Sequence, residues 1–134
     1  NGSALEIFGR MVSALGGPIK FADDWNRFLP EATVITEIPT LKAGYLNAWK
    51  GHDLGNTIIS LGGGRRVQTD IVDPSVGLDQ IQSLGSYLNE GDIIARVHAS
   101  RTDIAQEVIK KVQASAIISS KKKNPNSLFL REII

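Results

Sequence analysis

The chain has 134 residues, with 15 Lys and Arg against 14 Asp and Glu, two His, no Cys and 42% hydrophobic residues. That is the size of one domain, or of one large piece of one, with enough chain to bury a core. A net charge of +1 gathers neither nucleic acid nor an anionic membrane, and the lack of Cys excludes disulfides, thiolate metal sites and cysteine nucleophiles.

The chain opens on Asn1-Gly2-Ser3 and enters a helical pattern at once, with Leu5, Phe8, Val12 and Leu15 on one face. Ser3 reads as its N-cap, Glu6 as the capping-box partner, and Gly16-Gly17-Pro18 as its stop. A helix that begins almost at the first residue is expected of a chain cut from something longer. Phe21, Trp25, Phe28 and Leu29 predict a second short helix closed by Pro30. Ala32 to Ile38 and Tyr45 to Trp49 predict strands, the first bounded by Pro39 and the two joined by a turn at Lys42-Ala43-Gly44. Asp53 to Leu61 predicts a helix ending at Gly62-Gly63-Gly64. Val76 to Leu84 and Asp92 to His98 are apolar runs of strand length, separated by Gly85, Asn89 and Gly91. Arg101 to Ala116 is the clearest amphipathic helix, with Ile104, Val108, Ile109 and Val112 inward. A polar turn at 121–126 then leads to a last strand at Leu128 to Ile134. No apolar run nears the roughly 18 residues of a membrane span. This order of elements argues for an α+β fold rather than a doubly wound sheet. The absent span and the lack of Cys lead to the expectation of a soluble, cytoplasmic protein.

The candidate chemistry is sparse. Gly62-Gly63-Gly64-Arg65-Arg66 combines exposed backbone N–H groups with forked donors, a combination suited to phosphate. Its glycines follow a helix, however, whereas a phosphate cradle needs them ahead of a helix N-terminus, so a helix stop with close backbone packing weighs more. His52-Asp53 are adjacent and so do not face one another; Asp53 reads better as a cap or a dipole-favoured acid. His98 reads as a packed strand histidine. Two histidines so far apart, without a spaced carboxylate, make no metal site. Asp73-Pro74-Ser75 is a turn former, Lys121 to Lys123 a solvated turn, and Trp25 with its neighbouring Phe residues core or interface anchors. From composition and spacing alone, no catalytic, substrate-binding, cofactor-binding or metal residue is assigned.

Resemblance adds more. Gly44-Tyr45-Leu46-Asn47-Ala48-Trp49, then Asp53 to Arg66, Asp73-Pro74-Ser75-Val76-Gly77-Leu78, Leu84-Gly85, and Asn89 to Ala99 resemble, in this order and spacing, the C-terminal region of the thymidine and pyrimidine-nucleoside phosphorylase family. The opening Asn1 to Gly17 resembles the segment just upstream. Where the family commonly carries Asp-x-Arg-Ala, this chain has Lys50-Gly51-His52-Asp53. The resemblance implies an α/β-hammerhead with barrel-sandwich-like strands, formed by 31–134, and a helical lead-in over 1–30. It implies a parent enzyme that uses phosphate to cleave thymidine to thymine and 2-deoxyribose 1-phosphate, without metal or organic cofactor. The family's Lys-Ser-rich phosphate loop and base-gripping set do not occur in these residues, so no catalytic residue carries over. The expected partners are the remainder of the parent chain and, for the parent, a second copy. An alternative is a biotinyl or lipoyl carrier half-barrel, suggested by Leu84-Gly85 and Asn89-Glu90-Gly91-Asp92. Such a carrier displays a lysine at a hairpin tip, yet no Lys occurs between Lys50 and Lys110 and the only Met is Met11.

Overall fold

The computed structural model describes residues 1–124, which divide into two units at Glu31 and Ala32. In the first, α1 spans Ser3–Ala14. It ends as its glycines require: Gly16 takes φ +87°, and the N–H groups of Gly17 and Gly16 close back on Val12 O (2.9 Å) and Ser13 O (3.0 Å). Its start differs from expectation. Gly2 is the N-cap and Ser3 is already helical, its N–H and hydroxyl both donating to Asn1 Oδ1, so no capping box forms with Glu6.

The predicted second helix is reduced to a single 3-10 turn at Trp25–Arg27 within a run of turns. Eleven residues between Pro18 and Pro30 leave little chain to repay helix nucleation, and the backbone closes instead through short bonds such as Phe21 N–H to Pro18 O. Phe21 still anchors the unit, with ring centroids 6.1 Å from Phe8 and 6.2 Å from Phe28. Trp25 is 59% exposed and does not share that face.

The second unit holds strands β1 (Val34–Pro39), β2 (Gly44–Trp49), β3 (Gly77–Asp79), β4 (Tyr87–Leu88), β5 (Ile93–Ala99) and β6 (Ala116–Ser119), with helices α2 (Gly51–Leu61) and α3 (Thr102–Ser115). They form two antiparallel three-stranded sheets, ordered β1-β5-β3 and β4-β2-β6. The architecture is α+β, as expected. In the first sheet Ile38 opposes Ala95 and Thr36 opposes Val97, so alternation turns Ile38, Ala95, Val97 and Ala99 inward. Against that face lies α3, burying Val108 and Val112 as predicted, together with Ala105 and Ser115; Ile104 and Ile109 flank them, half-buried. Leu46, Leu88 and Ile118 of the second sheet and Leu61 of α2 complete the same core.

Three departures concern strands. The apolar run 76–84 yields only β3, because Gln80 adopts φ +49° and ends the extended backbone. Two strands went unanticipated: β4, of two residues, and β6, which follows α3 without a loop. The strand expected at Leu128 to Ile134 lies outside the described residues. The lysine turn is less free than a solvated turn. The Asn47 amide donates to Lys121 O (2.9 Å) and Ser119 Oγ (2.7 Å) and accepts from Lys123 N–H (2.8 Å), and Lys122 Nζ sits 6.0 Å over the Tyr45 ring.

Candidate functional site

The Gly62–Arg66 segment has the composition of an anion site, and much of its backbone is already engaged. Gly62, at φ +99°, ends α2, and the N–H groups of Gly63 and Gly62 bond Ile58 O and Ile59 O at 3.0 and 3.1 Å. A Cβ at Gly64 would lie 2.9 Å from Ile59 Cγ1, so the close packing expected there is real. The segment also carries its own anion: Asp70 Oδ2 accepts from Arg66 N–H (2.9 Å) and Val67 N–H (3.2 Å). Asp73 N–H then donates to Gly62 O at 2.9 Å, closing the loop at its base. Four of the N–H donors around this turn, those of Gly62, Gly63, Arg66 and Val67, are therefore engaged within the chain, while the side chains of Arg65 and Arg66 are exposed. Asp73 accepts from the Ser75 N–H and hydroxyl at 2.9 and 2.6 Å, the turn predicted for Asp-Pro-Ser. Those two bonds hold its carboxyl below the usual carboxylate range.

His52 and Asp53 form no pair. His52 Nδ1 lies 3.1 Å from the Asn56 amide nitrogen one turn on, and Asp53 sits within the first turn of α2 as a dipole-favoured acid, not a cap. His98 is half-buried on the sheet face opposite α3, where Arg96 of β5 and Asp79 of β3 also lie. Arg96 Nε donates to Asp79 Oδ1 at 2.9 Å and its Nη2 to Oδ2, a bidentate fork. This guanidinium, helped by the nearby imidazole, draws the Asp79 carboxyl below its ordinary range; the Arg96 guanidinium is raised in turn. His98 Nε2 is 3.1 Å from Asp79 Oδ1 but out of line for a hydrogen bond, so this buried ring nitrogen has no directed partner.

The turn after β4 is built by Asp92, whose carboxylate accepts from Asn89 N–H at 2.7 Å, with Gly91 at φ +90°. β4 pairs with β2, whereas β5 pairs with β1 and β3. The two strands belong to different sheets, so the displayed hairpin required by the carrier alternative does not form among the described residues.

Residues 45–119 match the family described as Pyrimidine nucleoside phosphorylase C-terminal domain. The chain belongs to this family. A protein of Agrobacterium fabrum named Thymidine phosphorylase is 39% identical over 113 residues, covering 84% of this chain and 26% of that protein. Another of that name, from Colwellia psychrerythraea, is 43% identical over 111 residues, covering 83% of this chain and 25% of that protein. The chain thus spans about a quarter of the length of the curated relatives it matches. In this phosphorylase C-terminal domain the matched span runs from β2 through β6 and includes the glycine–arginine loop and Asp79, Arg96 and His98. Sequence reasoning missed Asp70, four residues past Arg66, and Asp79, whose strand partner could not be known before the register was. No group of three metal-binding side chains converges, and no helix is long and apolar enough to cross a membrane, among the described residues.

Proposed function

We propose that this chain is the C-terminal portion of a thymidine phosphorylase whose whole protein cleaves thymidine with phosphate to thymine and 2-deoxyribose 1-phosphate, using no cofactor. The observation that carries this reading is the 39% and 43% identity to two proteins named Thymidine phosphorylase over most of the chain. The domain takes its place in the α/β-hammerhead architecture, with barrel-sandwich-like strands, and works in the cytoplasm as part of a pentosyltransferase that pairs as a homodimer. The isolated chain lacks turnover, because the family's phosphate loop and base-gripping residues do not occur in it. Its partner is the remainder of the parent. Support comes from α1, which buries no residue and leaves Leu5, Ile7, Met11 and Leu15 more than half exposed, an apolar surface suited to a covering layer. Arg65 and Arg66, at the tip of a loop with a committed backbone, close over the parent's cleft.

The experiment is an ultraviolet assay of thymine release by this chain and by the protein encoded by its full reading frame. The full protein turns over and the isolated chain does not. Phosphorolysis by the chain that survives repurification, or a full protein inert toward thymidine, overturns the reading.

A further inference from the structure

A cavity of about 450 Å³ opens where the two sheets and the C-terminal half of α3 meet. Its floor is Ile94 of β5, 1% exposed, and Ile118 of β6, 8% exposed. Part of its polar wall is engaged internally: Gln113 Nε2 donates to Pro39 O at 2.7 Å, and the Thr40 hydroxyl donates to Lys42 O at 3.1 Å. At the mouth stand Lys42, from the turn between β1 and β2, and Lys110 of α3. Neither belongs to an ion pair among the described residues. The contrast with Lys111 is informative, since that neighbour is neutralised by Glu107 at 2.6 Å while Lys110 is left facing the cavity.

A concave site with an apolar floor and a few convergent polar groups is the usual form of a small-molecule site, and this volume lies within the usual range of about 300–1,000 Å³. Two ammonium groups, with no carboxylate lining the cavity among the described residues, select an anionic occupant, and the apolar floor selects a hydrocarbon part. We propose that this cavity binds a small amphipathic carboxylate, its hydrocarbon part on Ile94 and Ile118 and its carboxylate between Lys42 and Lys110. The site is independent of the phosphorolysis reading, as it lies apart from the glycine–arginine loop in residues that reading does not use.

The test is a nuclear magnetic resonance titration of the ¹⁵N-labelled chain with octanoate, and separately with octanol. Octanoate gives saturable shifts centred on Leu41, Lys42, Ile94 and Ala114, and octanol binds more weakly. The double variant Lys42→Gln/Lys110→Gln weakens octanoate about fivefold or more, the effect of two partly exposed charge contacts, and leaves octanol unchanged. Added salt weakens octanoate alone. Ala114→Phe, at an exposed position on the wall, fills the mouth and abolishes both while the melting temperature holds. Equal affinity for octanol and octanoate, shifts centred on α1, or no saturation overturns the proposal.

Discussion

Val108 is 1% exposed and sits midway along the face of α3 that covers the first sheet. Replacing it by Asp removes a buried side chain, worth about 1.5–3 kcal/mol of burial, and places a carboxylate where no cation faces it. An unpaired buried charge costs several kcal/mol more, so the total is about 5 kcal/mol or greater, against a domain stability of about 5–15 kcal/mol. Val108→Ala isolates the packing part: two carbons at about 0.8 kcal/mol each, plus the cavity, give about 2–3 kcal/mol. Ile104→Asp, at a half-buried position, costs less than Val108→Asp because its carboxylate reaches water. The assay is thermal melting by circular dichroism, where 1 kcal/mol moves Tm by about 2–8 °C at this size. The buried carboxyl of Val108→Asp has a raised pKa in the folded state, so its penalty is greatest at neutral pH and shrinks as acid protonates it. Melting like wild type, or equal losses at 104 and 108, would show that α3 turns a different face to the core.

Replacing both Arg65 and Arg66 by Ala leaves the chain's melting within about 0.5 kcal/mol of wild type but lowers turnover of the full protein, since the loop is held by backbone bonds and Asp70. Inorganic phosphate gives no calorimetric binding signal with this chain, and a tight one would mean that the loop is an anion site and not only a helix stop. Gly44→Ala costs about 2 kcal/mol or more by urea unfolding, because Gly44 has φ +146° and a Cβ would lie 2.8 Å from Ser119 O. For Asp79 the folded carboxyl is held low by Arg96, so its stabilisation is complete above the unfolded carboxylate range and is lost as pH falls through the folded value. Asp79→Asn therefore destabilises at neutral pH and has a diminishing effect in acid; an undiminished difference there would assign the loss to packing.

Helices α1, α2 and α3 were legible because their signals are local, whereas the helix expected before Pro30 was too short to form. The period of Val108 and Val112 and the glycines after α1 and α2 state face and stop within a few residues. Strands β4 and β6 were not legible, since each is stabilised by pairing with β2, tens of residues earlier, and carries too few residues for a period of two. Gln80 looked like part of a strand because its side chain gives no warning of a left-handed backbone. The glycine–arginine loop was read correctly as a stop, but its internal anion was invisible until Asp70 was seen folded back onto Arg66 and Val67. The Asp79–Arg96 fork depends on register alone, and a one-residue slip would put the two on opposite faces.

The pairing of β2 with β6 also has a consequence in time. Asn47 and Ser119, joined by a side-chain hydrogen bond, are 72 residues apart. A ribosome adding about 5–20 residues per second leaves β2 waiting about 4–14 seconds for that neighbour to be made. Throughout the interval the strand carrying Leu46 shows an open backbone edge beside an uncovered apolar face. The nascent domain therefore passes through a window in which its second sheet is a template for another chain, and the order of synthesis, more than final stability, sets how long that window stays open.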